Sequence, residues 1–266
     1  MKKTSKYTSK KPDQAGYVDY TTEEHQIWSE LMRRQMPIVR ERACMEYLSG
    51  LEILNFSKYE IPQIPELNER LSKVTGWQVE PVPALIGFDK FFSLLSERKF
   101  PCATFIRTKE ELEYLEEPDI FHELFGHCPM LTHSVYADFM QDYGKLGVGQ
   151  SHEIQKLLAR FYWFTVEFGL ISTPLGLKCY GGGILSSIGE SIYAIDSQVP
   201  QRHSFSVMDI LRTPYRIDIL QPVYYCLESF SQLYQAVTAG FVDKLAKAKI
   251  MPEFPPQFRS KDMSIS

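Results

Sequence analysis

From Phe161 to Ile171 the chain reads Phe-Tyr-Trp-Phe-Thr-Val-Glu-Phe-Gly-Leu-Ile, an apolar run whose single charge is Glu167. Such a run has to lie inside the protein. An ionised carboxylate does not stay in a dry core without a cation beside it. Upstream, Asp119-Ile120-Phe121-His122-Glu123-Leu124-Phe125-Gly126-His127 carries two histidines among apolar residues. Two imidazoles and one carboxylate can occupy one face of an iron ion and leave its other positions open, the ligand set of non-haem Fe(II) oxygenases. The lone acid and the two histidines explain each other if they share a metal.

The spacing is H-E-x-x-x-H rather than H-E-x-x-H. On an α-helix, residues four apart lie within about 40° of each other, and residues five apart about 140° apart. His122 and His127 therefore cannot share a face of a regular helix. They can meet over its end if the last turn unwinds, which Gly126 permits. This spacing weakens the alternative of a zinc hydrolase with Glu123 as general base. A bland reading exists for each part: a single histidine in an apolar stretch is commonly a hydrogen-bonded core residue, and Asp119 can be a helix-start charge. His25, His133, His152 and His203 lack such surroundings and read as surface or structural.

The 266 residues carry a net charge of −4 and a pI near 5.9, which gives no general attraction to nucleic acid or to an anionic membrane. The basic start, with Lys2, Lys3, Lys6, Lys10 and Lys11, has no apolar stretch after it and is not a signal peptide. Five scattered cysteines without C-x-x-C argue against a disulfide framework or zinc ribbon and for the cytoplasm. Glu167 and Pro174 interrupt the longest apolar run, so no transmembrane helix is expected.

One mostly α domain with a few short β strands is expected over residues 21–250. A flexible basic tail over 1–20 and a C-terminal tail over 251–266 would flank it. A helix starts at Thr22, meets Pro37 and resumes toward Tyr47. Pro65 sits in the first turn of another that ends near Gly76. Residues 88–95 form a short helix and 103–106 a short strand. Pro118 opens the motif helix, with Glu116, Glu117 and Asp119 at its positive end, and Gly126 and Pro129 stop it after His127. Further helices cover 134–145, 151–171 and 229–247. The triplet Gly181-Gly182-Gly183 lacks the residues of a phosphate loop.

Glu117 to His127, Tyr162-Trp163-Phe164-Thr165-Val166-Glu167-Phe168-Gly169 and Tyr180 to Glu190 resemble motifs of the pterin-dependent aromatic amino acid hydroxylases, most of all the compact bacterial members. The resemblance runs in order from Thr22 through Gln221-Pro222-Val223-Tyr224-Tyr225 to the last helix. It implies the catalytic-domain fold of that family. His122, His127 and Glu167 would bind Fe(II), tetrahydrobiopterin or a related tetrahydropterin would supply electrons, and O2 would be the co-substrate. The implied reaction is para-hydroxylation of L-phenylalanine to L-tyrosine, with the same chemistry on tryptophan or tyrosine as the alternative. By the same resemblance, Arg107 clamps the substrate carboxylate, Pro118 and Trp163 border its ring, and Ser186 and Glu190 line the inner site. Phe91 stacks on the pterin, with Ala84, Ile86, Phe88 and Glu123 around it. Leu115-Glu116 departs from the Thr-Pro of animal relatives. Neither their regulatory domain nor their tetramerising helix is expected, and a monomer or weak dimer follows.

Overall fold

The computed structural model describes residues 7–113, 115 and 117–258. Lys2, Lys3, Lys6, Glu116 and residues 259–266 lie outside them, and so does the comparison that Glu116 invites. Helix α1 (Thr22–Arg42) is set by a capping box in which the Thr21 hydroxyl accepts the Glu24 N–H and the Glu24 carboxylate accepts the Thr21 N–H. Its buried Ile27, Trp28, Leu31, Met32, Gln35 and Val39 recur at helical spacing. Pro37 does not interrupt it. The break comes at Ala43, before α2 (Met45–Leu54). Helix α3 (Ile64–Thr75) carries Pro65 in its first turn and ends on Gly76, whose φ of 75° suits a residue without Cβ.

Strand β1 (Gln78–Val82) pairs in parallel with β2 (Lys99–Ala103) across helix α4 (Phe88–Ser96). The strand expected over 103–106 thus lies earlier. Val82 is the last β1 partner, and beyond it Thr104 bonds elsewhere: its N–H donates to Ser9 and its hydroxyl to the Lys10 carbonyl. Residues 7–20, expected as a flexible tail, are packed. The Tyr7 ring stacks on Phe105 at 4.6 Å, Val18 and Tyr20 are buried, and the Tyr20 hydroxyl donates to the Thr104 carbonyl.

Helices α5 (Ser134–Gly147) and α6 (His152–Tyr162) follow the metal motif. A four-stranded sheet comes next, in the order β4 (Gly176–Cys179), β3 (Leu170–Thr173), β6 (Val223–Leu227), β5 (Gln201–Ser204). Only β3 and β4 run antiparallel. Between these strands lie α7 (Gly182–Leu185), α8 (Ile188–Asp196) and α9 (Val207–Arg212), and α10 (Phe230–Thr238) and α11 (Phe241–Ile250) close the fold.

Two expected helices are shorter than the apolar periodicity suggests. The one over 151–171 leaves regular α geometry at Trp163 and ends at Phe168, because Leu170 and Ile171 are drawn into pairing with β4 and β6. The one over 229–247 breaks at Ala239 and Gly240, whose φ is 68°. Beyond α11, expected as tail, Phe254 bonds the Arg212 carbonyl and takes the Arg212 guanidinium over its ring at 4.1 Å. The architecture is mostly helical with a few short strands, as expected. Among the described residues no helix is long and apolar enough to cross a membrane.

Helices α4 and α5 pack closely, and two glycines permit it. A Cβ on Gly144 would sit 2.5 Å from the Ser96 nitrogen, and one on Gly147 would sit 2.1 Å from the Phe92 ring. Alanine in place of a mid-helix glycine normally stabilises by about 1 kcal/mol. Here overpacking against backbone, about 1–3 kcal/mol, outweighs that gain. Gly144→Ala is expected to lower the urea midpoint with an unchanged denaturant slope; a raised midpoint would show that α4 and α5 can move apart freely.

Candidate metal centre

His122 and His127 lie on a π-helical segment, His122–His127, that grows out of a short helical start at Ile120. This is how five-residue spacing becomes compatible with one face: a π-helix bonds residue i to i+5 and so widens the turn. The expected unwinding takes this form. Gly126 lets this segment lie against the glycine triplet, since a Cβ there would lie 2.7 Å from the Gly182 carbonyl oxygen. The chain does not stop after His127 but tightens into a 3-10 turn, Cys128–Thr132, with Pro129 in its first turn. Glu167 ends a second π-helical segment, Trp163–Glu167, closed by the Phe168 N–H on the Trp163 carbonyl at 2.9 Å.

The two segments bring the three side chains together. His122 Nε2 and His127 Nε2 are 3.0 Å apart, and the Glu167 oxygens lie 3.3 Å from His127 Nε2 and 3.6 Å from His122 Nε2. Ligands about 2.1 Å from an ion and at right angles lie about 3 Å from each other, so this spacing fits a shared metal. The tautomer of His122 is set by its neighbour. Ser186 Oγ donates to the Gly182 carbonyl at 2.8 Å, so at 2.9 Å it accepts the His122 Nδ1 proton and leaves the Nε2 lone pair facing inward. Burial pushes the His122 imidazole down to about 4, so it is neutral at pH 7. Burial alone would raise Glu167, but the His127 and His122 imidazoles and the Gly183 N–H hold it below the usual carboxylate range. One anion facing two nitrogen donors is a cluster that a divalent cation completes.

Glu123 brings a carboxylate oxygen within 4.8 Å of ring nitrogens of both histidines. It is the weaker candidate ligand. Glu167 is closer, and burial, with the Glu167 and Asp119 carboxylates nearby, pushes Glu123 well above its ordinary range. The two like charges oppose each other, and the imidazoles favour the ionised form at Glu167 rather than at Glu123.

The glycine triplet forms the floor of this centre. A Cβ on Gly182 would fall 2.4 Å from the His127 ring, one on Gly183 2.9 Å from Glu167 Oε2, and one on Gly181 2.3 Å from the Glu167 carbonyl oxygen. Ser186 and Glu190 belong to different helices. Ser186 ends α7 and holds His122. Glu190 lies past the Ser187 cap in α8 and accepts from the Gln221 N–H at 3.1 Å and from the Tyr224 hydroxyl.

Arg107 is buried and held by Asp119: its N–H and Nε donate to Oδ2 at 3.0 and 2.8 Å, and its Nη2 to Oδ1 at 2.9 Å. The same Oδ1 accepts the His122 N–H at 3.1 Å. Asp119 is therefore more than a helix-start charge; it ties the arginine fork to the first histidine of the motif. Among the described residues the hydrogen bonds of Arg107 come from its N–H, Nε and Nη2. Phe91 is half-buried, edge-on to Phe92 and to Tyr162, whose ring centroid is 6.3 Å from that of His127. Ala84 and Ile86 are half-buried beside it in sequence, Phe88 contacts Phe92 and His152, and Pro118 is exposed. Trp163 is half-buried, stacked on Tyr215 at 4.6 Å and close to Phe168 at 4.5 Å. His25 and His133 accept backbone N–H groups, a structural role.

A family model for biopterin-dependent aromatic amino acid hydroxylases matches residues 2–258. The phenylalanine-4-hydroxylase of Vibrio cholerae is 50% identical over 258 residues, 97% of this chain and 89% of that one. The apo structure of the cold-active phenylalanine hydroxylase of Colwellia psychrerythraea superposes with a TM-score of 0.92 at 49% identity, covering 95% of this chain and 98% of that one. The phenylalanine hydroxylase of Chromobacterium violaceum, solved with bound oxidised Fe(III), does so at 0.88 and 41%, covering 95% and 94%. With the family model spanning nearly its whole length, this chain belongs to the biopterin-dependent aromatic amino acid hydroxylases.

Proposed function

We propose that this protein is a phenylalanine 4-monooxygenase that converts L-phenylalanine to L-tyrosine with O2, Fe(II) and a tetrahydropterin. The observation that carries it is the convergence of His122, His127 and Glu167 at 3.0–3.6 Å, in a chain half identical to a phenylalanine-4-hydroxylase. His122, His127 and Glu167 would hold the iron, which with the pterin as electron donor would supply the activation of O2. The residues around it position and exclude. Ser186 orients His122, the glycine triplet lets both ligand helices approach, and the apolar rings around the centre keep water out. Arg107 Nη1 takes the substrate carboxylate, with its fork fixed by Asp119. Trp163 and Pro118 border the ring of the amino acid. Phe91 offers a ring face to the pterin, with Ala84, Ile86, Phe88 and Glu123 around it. The five-residue spacing of His122 and His127, closed by a π-helical turn, disfavours the zinc-hydrolase alternative. Five free thiols, four of them buried, support the cytoplasm as its location, and we read the protein as a monomer.

Three outcomes test this reading. His122→Ala, His127→Ala and Glu167→Ala each lose bound iron and tyrosine formation; a variant that kept both in full would leave the ligand set. Gly182→Ala pushes the His127 ring aside and should lower iron affinity about tenfold or more while far-UV circular dichroism stays native, as for other disturbed ligand supports. Arg107→Lys keeps a cation near Asp119 but loses the planar fork. It should raise the phenylalanine KM about tenfold or more and leave the pterin KM within about twofold, by the cost of a lost charged hydrogen bond. Equal shifts in both constants would remove Arg107 from the carboxylate site.

A further inference from the structure

We propose that Gln221 is a positioning residue for the aromatic substrate, anchoring the Trp163 indole so that the ring pocket keeps its width and its preference for phenylalanine over the larger tryptophan. The proposal rests on the reading of Trp163 as a wall of the substrate pocket.

Gln221 is almost fully buried and uses every polar atom of its side chain. Its Oε1 accepts the Trp163 indole N–H at 2.9 Å, and its Nε2 donates to the carbonyls of Arg216 and Ile219 at 2.9 and 3.0 Å. Its backbone N–H donates to Glu190 Oε1, which also accepts the Tyr224 hydroxyl. One side chain thus closes the loop 216–221 on itself and fastens it to the helix that carries Glu167. Buried indole N–H groups need an acceptor, and the acceptor fixes the ring's rotation. Stacking alone does not do this. Tyr215 at 4.6 Å and 22° limits tilt, but an indole can still slide in its own plane. Gln221 stops the slide at the nitrogen edge. Trp163 lies four residues before Glu167 on the same π-helical segment, so a displaced indole changes the space beside the metal without moving a metal ligand.

The test compares phenylalanine with tryptophan as substrates in the full-length, iron-loaded protein. Gln221→Leu removes the acceptor at similar volume. We expect the phenylalanine Kd, read by calorimetry, to rise about fivefold, and the ratio of kcat/KM for phenylalanine over tryptophan to fall about fivefold, the worth of one neutral hydrogen bond. Iron content and pterin KM should stay within about twofold, since neither group touches Gln221. Gln221→Glu keeps the acceptor and loses the two donors, so the loop loosens but the substrate ratio holds. Trp163→Phe deletes the same hydrogen bond from the other side, and adding Gln221→Leu to it should shift the ratio no further. An unchanged ratio and Kd in Gln221→Leu overturn the proposal, as does a Gln221→Glu variant that shifts the ratio equally. Should Gln221→Leu not fold, an unchanged ratio in Trp163→Phe overturns it. Trp163→Ala separates the two levels. If it leaves the phenylalanine Kd unchanged, the wall reading falls and the anchor with it. If it raises Kd while Gln221→Leu does not, the anchor alone falls.

Discussion

A carboxylate sits inside an aromatic core here because two imidazoles face it, and much of the surrounding architecture keeps those three groups in register. Burial acts against the charge of Glu167, and only the close approach of His122 and His127 and the Gly183 N–H offset it. That approach requires two helices to lie almost backbone to backbone with the turn 181–183. Glycine is the residue that allows it, since any Cβ at Gly181 or Gly182 would overlap the ligands or their carbonyls. Catalytic geometry and packing are the same constraint in this centre.

Two hydrogen-bonded systems extend outward from it. On one side Asp119 joins the Arg107 fork to the His122 backbone, so the guanidinium and the first histidine of the motif share one anion. Losing either partner of that fully buried pair would leave a charge uncompensated, at about 3–5 kcal/mol. On the other side Trp163, Gln221, Glu190 and Tyr224 form a chain of buried polar contacts behind the indole. Buried networks of this kind hold one arrangement when every member is satisfied.

Legibility varied with the range of the forces involved. Thr21 and Glu24 mark the start of α1 and Gly76 the end of α3 through bonds within a few residues, and these were readable. Pro37 misled, because a long helix packed along a full apolar face tolerates the loss of one N–H. The helix expected to reach residue 171 stops at Phe168 because Leu170 has partners in Cys179 and Cys226, far along the chain. Residues 7–20 look solvated in composition, yet their backbone and tyrosines find Thr104 and Phe105 nearly a hundred residues away. Asp119 stood inside the motif but read as a local charge, and Gln221 carried no local signal at all.

The residue types and spacing alone determined that Glu167 needs a cation, that His122 and His127 could supply it only off a regular helix, and that the chain is mostly helical. Those conclusions follow from desolvation energy and helical period, which are properties of short stretches. The tertiary structure decided the rest: that the turn widens into a π-helix, that Glu167 rather than Glu123 carries the charge, that Arg107 is chelated by Asp119, and that Trp163 is held by Gln221. Each of these depends on which distant backbone comes close enough to exclude water or accept a proton, and no local pattern encodes that distance.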